Sequence, residues 1–222
     1  MSIKSKNRPE GGPLEGEQSR PRRKSVLLFG APGSGKGTQG AILGRIPGFF
    51  HCACGDVFRQ IDINSELGRI FYEHSSRGEL VPDDVTVRMW DVSIHAHTIL
   101  GDYKPHNDLL ILDGIPRTIE QARIMDKHIQ VLKVVHLICA DRAEMIRRLR
   151  RRALKENRID DADEKVIQNR WKVYENETRP LLGHYPEDLV VEVDSIGSPA
   201  QVLHDVLEIV VPIQDKHFKH FD

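Results

Sequence analysis

The stretch GAPGSGKGTQ, positions 30–39, follows directly on the apolar run Val26-Leu27-Leu28-Phe29. Gly30 and Gly35 stand five apart, Lys36 comes next, and Gly33 and Gly37 leave little side chain around it. A loop of this kind, entered from a strand and left into a helix, points successive backbone N–H groups at an anion. The helix that begins near Gly37 adds the positive end of its dipole. Lys36 supplies an ammonium that can bridge outer phosphates, with Ser34 and Thr38 beside it. The chemistry this fits is the holding of a polyphosphate, above all a nucleoside triphosphate. A plain glycine turn is the competing reading, and strand, spacing, lysine and helix together weigh against it.

Two details concern a metal. The residue after Lys36 is Gly37, so the usual hydroxyl ligand is displaced to Thr38 and Mg²⁺ is expected to be held mainly through water. Asp113 closes the run Leu109-Leu110-Ile111-Leu112. An aspartate there serves as a turn or helix cap, or it orients water on Mg²⁺ at the carboxyl end of a buried strand. Beside a phosphate loop we read the second role. No residue is read as a direct metal ligand.

These residues need a frame. Short apolar runs recur at Val26–Phe29, Leu109–Leu112, Val134–Cys139 and Leu189–Val193, with Phe49–Cys52 a weaker candidate. Continuous apolar runs of strand length suit strands buried on both faces. Alternation with helical stretches predicts an α/β, three-layer fold, a parallel sheet with helices on both faces. Two stretches break the rhythm. Residues 53–82 read as short helices with polar turns, and residues 152–163 are charged and almost free of apolar residues. Both are expected to be insertions on a core spanning 25–212. Residues 1–24 carry seven Lys/Arg against three Glu and almost nothing apolar, and are read as a disordered tail. Residues 213–222 are read as a C-terminal tail.

The chain of 222 residues has a formal net charge of −1, so no global field points to nucleic acid or membrane. Its three cysteines, Cys52, Cys54 and Cys139, form no CxxC, which argues against a disulfide framework or a four-cysteine zinc site and for a reducing cytoplasm. No run approaches the length of a membrane span.

With GAPGSGKGTQ, the segments GDVFR (55–59), GELVPDD (78–84), LDGIPRTIEQA (112–122) and RIDD (158–161) occur in order. Together they resemble the adenylate kinases, among the nucleoside monophosphate kinases with a P-loop NTPase fold. The resemblance runs from about residue 25 to 210. It implies reversible phosphoryl transfer, Mg·ATP + AMP ⇌ 2 ADP, by a chain that is usually a monomer. It makes 53–82 the part that closes over AMP and 152–163 a short lid, which contains no cysteine for a zinc.

The resemblance also assigns residues. Gly33, Ser34, Gly35, Lys36, Gly37 and Thr38 hold ATP phosphates; Arg148 stacks on its adenine and Gly197 touches the base through backbone. Arg59 and Arg117 clamp the AMP phosphate. Arg152, Arg158 and Arg170 gather on the transferring group with Lys36. Gln121 reads the adenine edge, with Glu79, Leu80 and Val81 around the base and Gly114, Ile115 and Pro116 beside it. Arg147, Arg150 and Arg151 are read as a solvated helix face.

Three features depart from the family. Cys54 stands where adenylate kinases place Thr; it either loosens base discrimination or is a small filler. Ile115 replaces the usual aromatic. The interval from Arg158 to Arg170 is one residue longer than in the family. Two other functions stay open: a kinase for another monophosphate such as CMP or UMP, and a regulatory protein that binds AMP and ATP without turnover.

Overall fold

The computed structural model describes residues 21–156, 158 and 161–218. Ile159 and Asp160 of the RIDD segment, most of the N-terminal tail and residues 219–222 lie outside them. Five strands form one sheet in the order β2-β3-β1-β4-β5, every neighbouring pair parallel. They are β1 (Arg23–Phe29), β2 (Phe49–Ala53), β3 (Leu109–Asp113), β4 (Ile129–Ile138) and β5 (Val190–Asp194). Every apolar run singled out in the sequence contributes to a strand, Phe49–Cys52 included.

Side chains alternate across the sheet. Leu27, Phe29, Leu110, Leu112 and Val134 face a core completed by Trp90 and Ile94 of α4 (Asp83–Leu100) and Met125 of α5 (Ile119–Met125). Val26, Leu28, Leu109, Ile111, Val135 and Leu137 face the other way, onto Leu43 of α1 (Lys36–Leu43) and Val202, Val206 and Val210 of α8 (Pro199–His217). Both faces are covered, which is why the strands read as unbroken apolar runs.

Register places the chemistry. Leu28 pairs with Asp113 and Ala53 also pairs with Asp113, so the carboxyl ends of β1, β3 and β2 finish level. From β1 the chain moves to one side of the sheet for β2 and β3, then to the other for β4 and β5. The gap opened by that reversal lies above the end of β1, where open parallel sheets bind ligands. The phosphate loop occupies it. Ala53 still belongs to β2, and residues 54–82 carry α2 (Cys54–Arg59) and α3 (Glu66–Ser75) and no strand. A helical pair, α6 (Arg142–Glu156) and α7 (Glu164–Val173), leads into a π-helical turn over Tyr174–Thr178.

Three boundaries differ from the sequence reading. Strand β1 starts at Arg23, inside the expected tail, because long basic stems pack where their charged heads stay paired. Arg23 lies over the Trp90 ring and pairs with Asp91 at 3.5 Å; Lys24 lies over the Phe218 ring and donates to the His217 carbonyl at 3.0 Å. At the other end, α8 runs through Pro212 to His217. Pro212 is on the exposed side of the helix, so the carbonyl that loses its N–H partner can face water. Gln214 and Phe218 beyond it are buried. The start of the expected lid, Arg152–Glu156, continues helix α6.

These contacts bring Gln214 and Phe218, both within the expected C-terminal tail, into the buried interior. Phe218→Ala is expected to cost about 3 kcal/mol, within the usual range for a buried aromatic. The check is a lowered urea midpoint at unchanged slope, where a solvated tail would leave the midpoint in place.

Candidate functional site

The backbone of the loop requires glycine at three points, Gly30, Gly33 and Gly35, all at positive φ. Gly35 caps α1 with φ +98°, in the left-handed region. Gly30 has φ +148°, and a Cβ there would stand 2.5 Å from the Leu137 carbonyl and 2.4 Å from Ser34 Oγ. The loop therefore nests directly on the end of β4. Ser34 Oγ is buried and has no hydrogen-bond partner among the described residues.

Lys36 leaves this loop into the cleft. Its Nζ donates to the Gly30 carbonyl at 2.6 Å and the Ala31 carbonyl at 3.2 Å. Removal from water pushes its pKa down to about 8, opposed by Asp113 and assisted by Arg117, Arg152 and Arg170. Three guanidinium groups thus act on one ammonium. Asp113 Oδ2 lies 3.5 Å from where a Cβ on Gly37 would stand, so a carboxylate faces the start of α1. A carboxylate at this point is an oxygen donor suited to the water shell of a hard cation such as Mg²⁺.

Between these elements lies a cleft open to solvent. Its walls bring together Lys36, Cys54, Arg59, Glu79, Leu80, Val81, Gly114, Pro116, Arg117, Gln121 and Arg170. Arg170 reaches it despite the longer interval after Arg158. Ile115 does not line it: at 2 % exposure this side chain turns into the sheet core beside Leu112 and Met125. Burial pushes the Cys54 thiol up to about 11, so it meets the cleft as a neutral, weakly polar group.

Carboxylates hold the arginines. Asp161, wholly buried, accepts from Arg152 Nε at 2.6 Å and from Arg170 Nη1. Burial alone would raise its pKa; the Arg152 hydrogen bond and the charges of Arg170, Arg152 and Arg158 hold it below the usual carboxylate range. Asp56 plays the same part for a second pair, accepting from Arg59 at 2.9 Å and from Arg158 at 3.1 Å. Arg158 lies between α6 and α7 and Asp56 on α2, so one carboxylate ties the expected lid to the expected acceptor-side insertion. Arg148 projects from α6 to the Ser195 carbonyl at 2.9 Å, and its Nη1 is 4.0 Å from a Cβ built on Gly35. It thus spans the phosphate loop and the turn that contains Gly197. Arg147, Arg150 and Arg151 are exposed, as expected.

The α6–α7 pair is anchored at its base. Met145, Leu149, Ile167 and Trp171 form a small core of their own. Trp171 Nε1 donates to the Pro32 carbonyl at 3.1 Å, and Arg142 lies 4.5 Å above the Trp171 ring. The next turn is pinned to the sheet, where His136 Nε2 and Tyr174 Oη lie 2.8 Å apart and His136 Nδ1 lies 3.2 Å from Glu192. Tyr174 and Thr178 line the cleft. Sequence reading singled out neither these residues nor Asp56, Asp83 and Asp161. The carboxylate signal was present for two of them: Asp56 stands three residues before Arg59, and Asp161 ends RIDD. The His136–Tyr174 contact spans 38 residues and leaves no local trace.

Comparison with known proteins agrees with these motifs. The family model described as adenylate kinase matches residues 28–190. The adenylate kinase of Flavobacterium psychrophilum is 32% identical over 192 residues, 84% of this chain and 97% of that protein. The adenylate kinase of Kocuria rhizophila is 36% identical over 188 residues, 82% and 96% respectively. That of Nocardia farcinica is 37% identical over 182 residues, 80% and 93%.

The lowered pKa of Lys36 makes polyphosphate binding pH-dependent. Above about pH 8 the free amine predominates. Bound phosphates favour the ammonium, so binding there takes up a proton. Affinity for a nucleoside triphosphate is expected to fall up to about tenfold per pH unit above 8. Titration calorimetry in buffers of different ionisation enthalpy is expected to read the proton uptake, and Lys36→Met to remove it.

Proposed function

The chain belongs to the adenylate kinase family, and we infer that it catalyses reversible phosphoryl transfer from Mg·ATP to AMP, giving two ADP. One observation carries the residue assignment: Lys36, Arg117 and Arg170 line a single cleft, and Arg152 is joined to Arg170 through Asp161. Phosphoryl transfer asks a protein mainly for in-line positioning and for positive charge on the equatorial oxygens. Four cations around one point meet that need.

In this reading the loop amides of Gly33, Ser34, Gly35, Gly37 and Thr38 hold the donor phosphates, and the Ser34 hydroxyl donates to one of them. Lys36 moves with the transferring group. Arg148 and the backbone at Gly197 bracket the donor base. Arg59 and Arg117 hold the acceptor phosphate, while Cys54, Leu80, Val81 and Gln121 surround the acceptor base. Arg158, released from Asp56, and Arg152 with Arg170 close on the transferring phosphoryl group. Mg²⁺ enters with ATP as part of the substrate, and Asp113 orients its water. The closing segments exclude water that would otherwise compete as acceptor.

A monomer in the cytoplasm fits this reading. The cysteines of the described residues are free thiols, and no described helix is long and apolar enough to cross a membrane. A protein that had kept binding and given up turnover is expected to have lost Lys36 or a lid arginine, and Lys36, Arg152, Arg158 and Arg170 are all present.

An assay of ADP formation with Mg·ATP and AMP, CMP or UMP separates the readings. AMP is expected to be the preferred acceptor, and turnover of CMP or UMP alone would assign a different kinase. Lys36→Met is expected to lower kcat by about three orders of magnitude or more in a folded variant, since its charge acts on the transferring group. Arg117→Ala is expected to raise KM for AMP by tenfold or more while affinity for ATP survives.

A further inference from the structure

Gln121, on the first turn of α5, is 1 % exposed and lines the cleft. Both ends of its amide are engaged. Oε1 accepts from the Arg117 backbone N–H at 2.7 Å, and Nε2 donates to Asp83 Oδ1 at 2.8 Å. The same Asp83 oxygen accepts from the Thr118 hydroxyl at 3.0 Å. That hydroxyl in turn accepts from the Gln121 backbone N–H at 3.1 Å, so its proton is free to point at Asp83.

The polarity of this chain of bonds is fixed at both ends. A carboxylate only accepts and a backbone N–H only donates. A flipped Gln121 amide would place its oxygen against the Asp83 carboxylate and its NH₂ against the Arg117 N–H. Two favourable bonds would become two repulsive contacts in a buried place. Gln121 is therefore held in one orientation, with one N–H and one oxygen lone pair left over for a ligand.

We propose that Asp83 is a specificity-determining residue that acts through Gln121, locking its amide so that the acceptor pocket takes a 6-amino purine and rejects a 6-oxo purine. Adenine presents an acceptor at N1 beside a donor at N6. Hypoxanthine presents a donor at N1 beside an acceptor at O6. A glutamine that can flip serves either pattern. One that cannot serves only the pattern it is locked to, and a buried mismatch of this kind is discriminated far more strongly than a difference in shape. Asp83 touches neither base nor phosphate in this scheme. It is a positioning residue, set at the N-terminus of α4 where the helix dipole favours its negative charge. The proposal rests on the acceptor-site reading given above.

The test compares kcat/KM for AMP and for IMP, with Mg·ATP as donor, in the full chain and in Asp83→Asn. Asparagine turns either an acceptor or a donor toward Gln121, so one of the two repulsive contacts of the flipped amide is removed and only the Arg117 backbone N–H still opposes the flip. The ratio of IMP to AMP use is expected to rise at least tenfold, mainly through a lower KM for IMP. Asp83→Ser, whose hydroxyl can also donate or accept and which suits a helix start, is expected to do the same and replaces the asparagine variant if that one does not fold. A structural role alone would lower use of both monophosphates and leave the ratio unchanged, which overturns the proposal. An unmodified chain that already uses IMP and AMP equally overturns it too. A chain that turns over neither AMP nor IMP, but does turn over CMP or UMP, instead overturns the acceptor reading on which it rests.

Discussion

Positive charge has to be assembled where it repels itself. Two unit charges about 5 Å apart interact by about 3 kcal/mol at an effective dielectric constant near 20. Several such pairs among Lys36, Arg117, Arg152 and Arg170 would scatter these side chains into water. The protein resolves this by giving the cations fixed oxygen partners: loop carbonyls for Lys36, the Gly114 carbonyl for Arg117, Asp161 for Arg152 and Arg170, Asp56 for Arg59 and Arg158. Asp161 is the most consequential of them. It is buried, its carboxyl is held ionised by the arginines, and removing it would leave two guanidinium groups facing each other.

The same arrangement bears on motion. The contacts that hold Arg59 and Arg158 to Asp56 lie at partly exposed side chains, where an ion pair contributes only modestly. A polyphosphate offers the same guanidinium groups more oxygens and more charge. Asp161 lies deeper and its two partners come from α6 and α7, so it travels with the hairpin. The hairpin is fixed below by Trp171 on the Pro32 carbonyl. A weak tie at the tip and a firm anchor at the base are the conditions for a segment that swings as a unit about its root.

The sequence carried the scaffold well because its signals there are local. Buried parallel strands read as unbroken apolar runs, the phosphate loop is one continuous segment, and Arg59, Arg117 and Arg158 sit in short motifs. It carried the ends poorly. The expected tails were drawn on polarity, yet Arg23 and Lys24 pack through their stems, and Pro212 interrupts only one exposed hydrogen bond of a helix whose apolar face continues to Phe218. It carried the partners of the site poorly for a different reason. Gln121 stands 38 residues from Asp83, Arg158 stands 102 from Asp56, and nothing in either segment names the other. Ile115 shows the limit of motif transfer. It occupies a motif position, but an aliphatic side chain there gains more from the core than from the cleft.

The two kinds of polar contact around the cleft differ in what they fix. Arginine–carboxylate pairs fix charge but tolerate exchange, because a guanidinium has several donors and accepts a phosphate oxygen as readily as a carboxylate one. They suit groups that must move during a catalytic cycle. The Arg117–Gln121–Asp83 chain fixes polarity and tolerates no exchange, because each amide atom faces a partner with only one role. It suits a surface that must stay the same while everything around it closes. Arg117 belongs to both systems: its backbone N–H holds the amide, and its side chain lines the cleft, where the proposed reading gives it the acceptor phosphate. In the proposed reading, base and phosphate recognition would then be registered to each other through a single residue, so that seating the base also places the group that holds the acceptor phosphate.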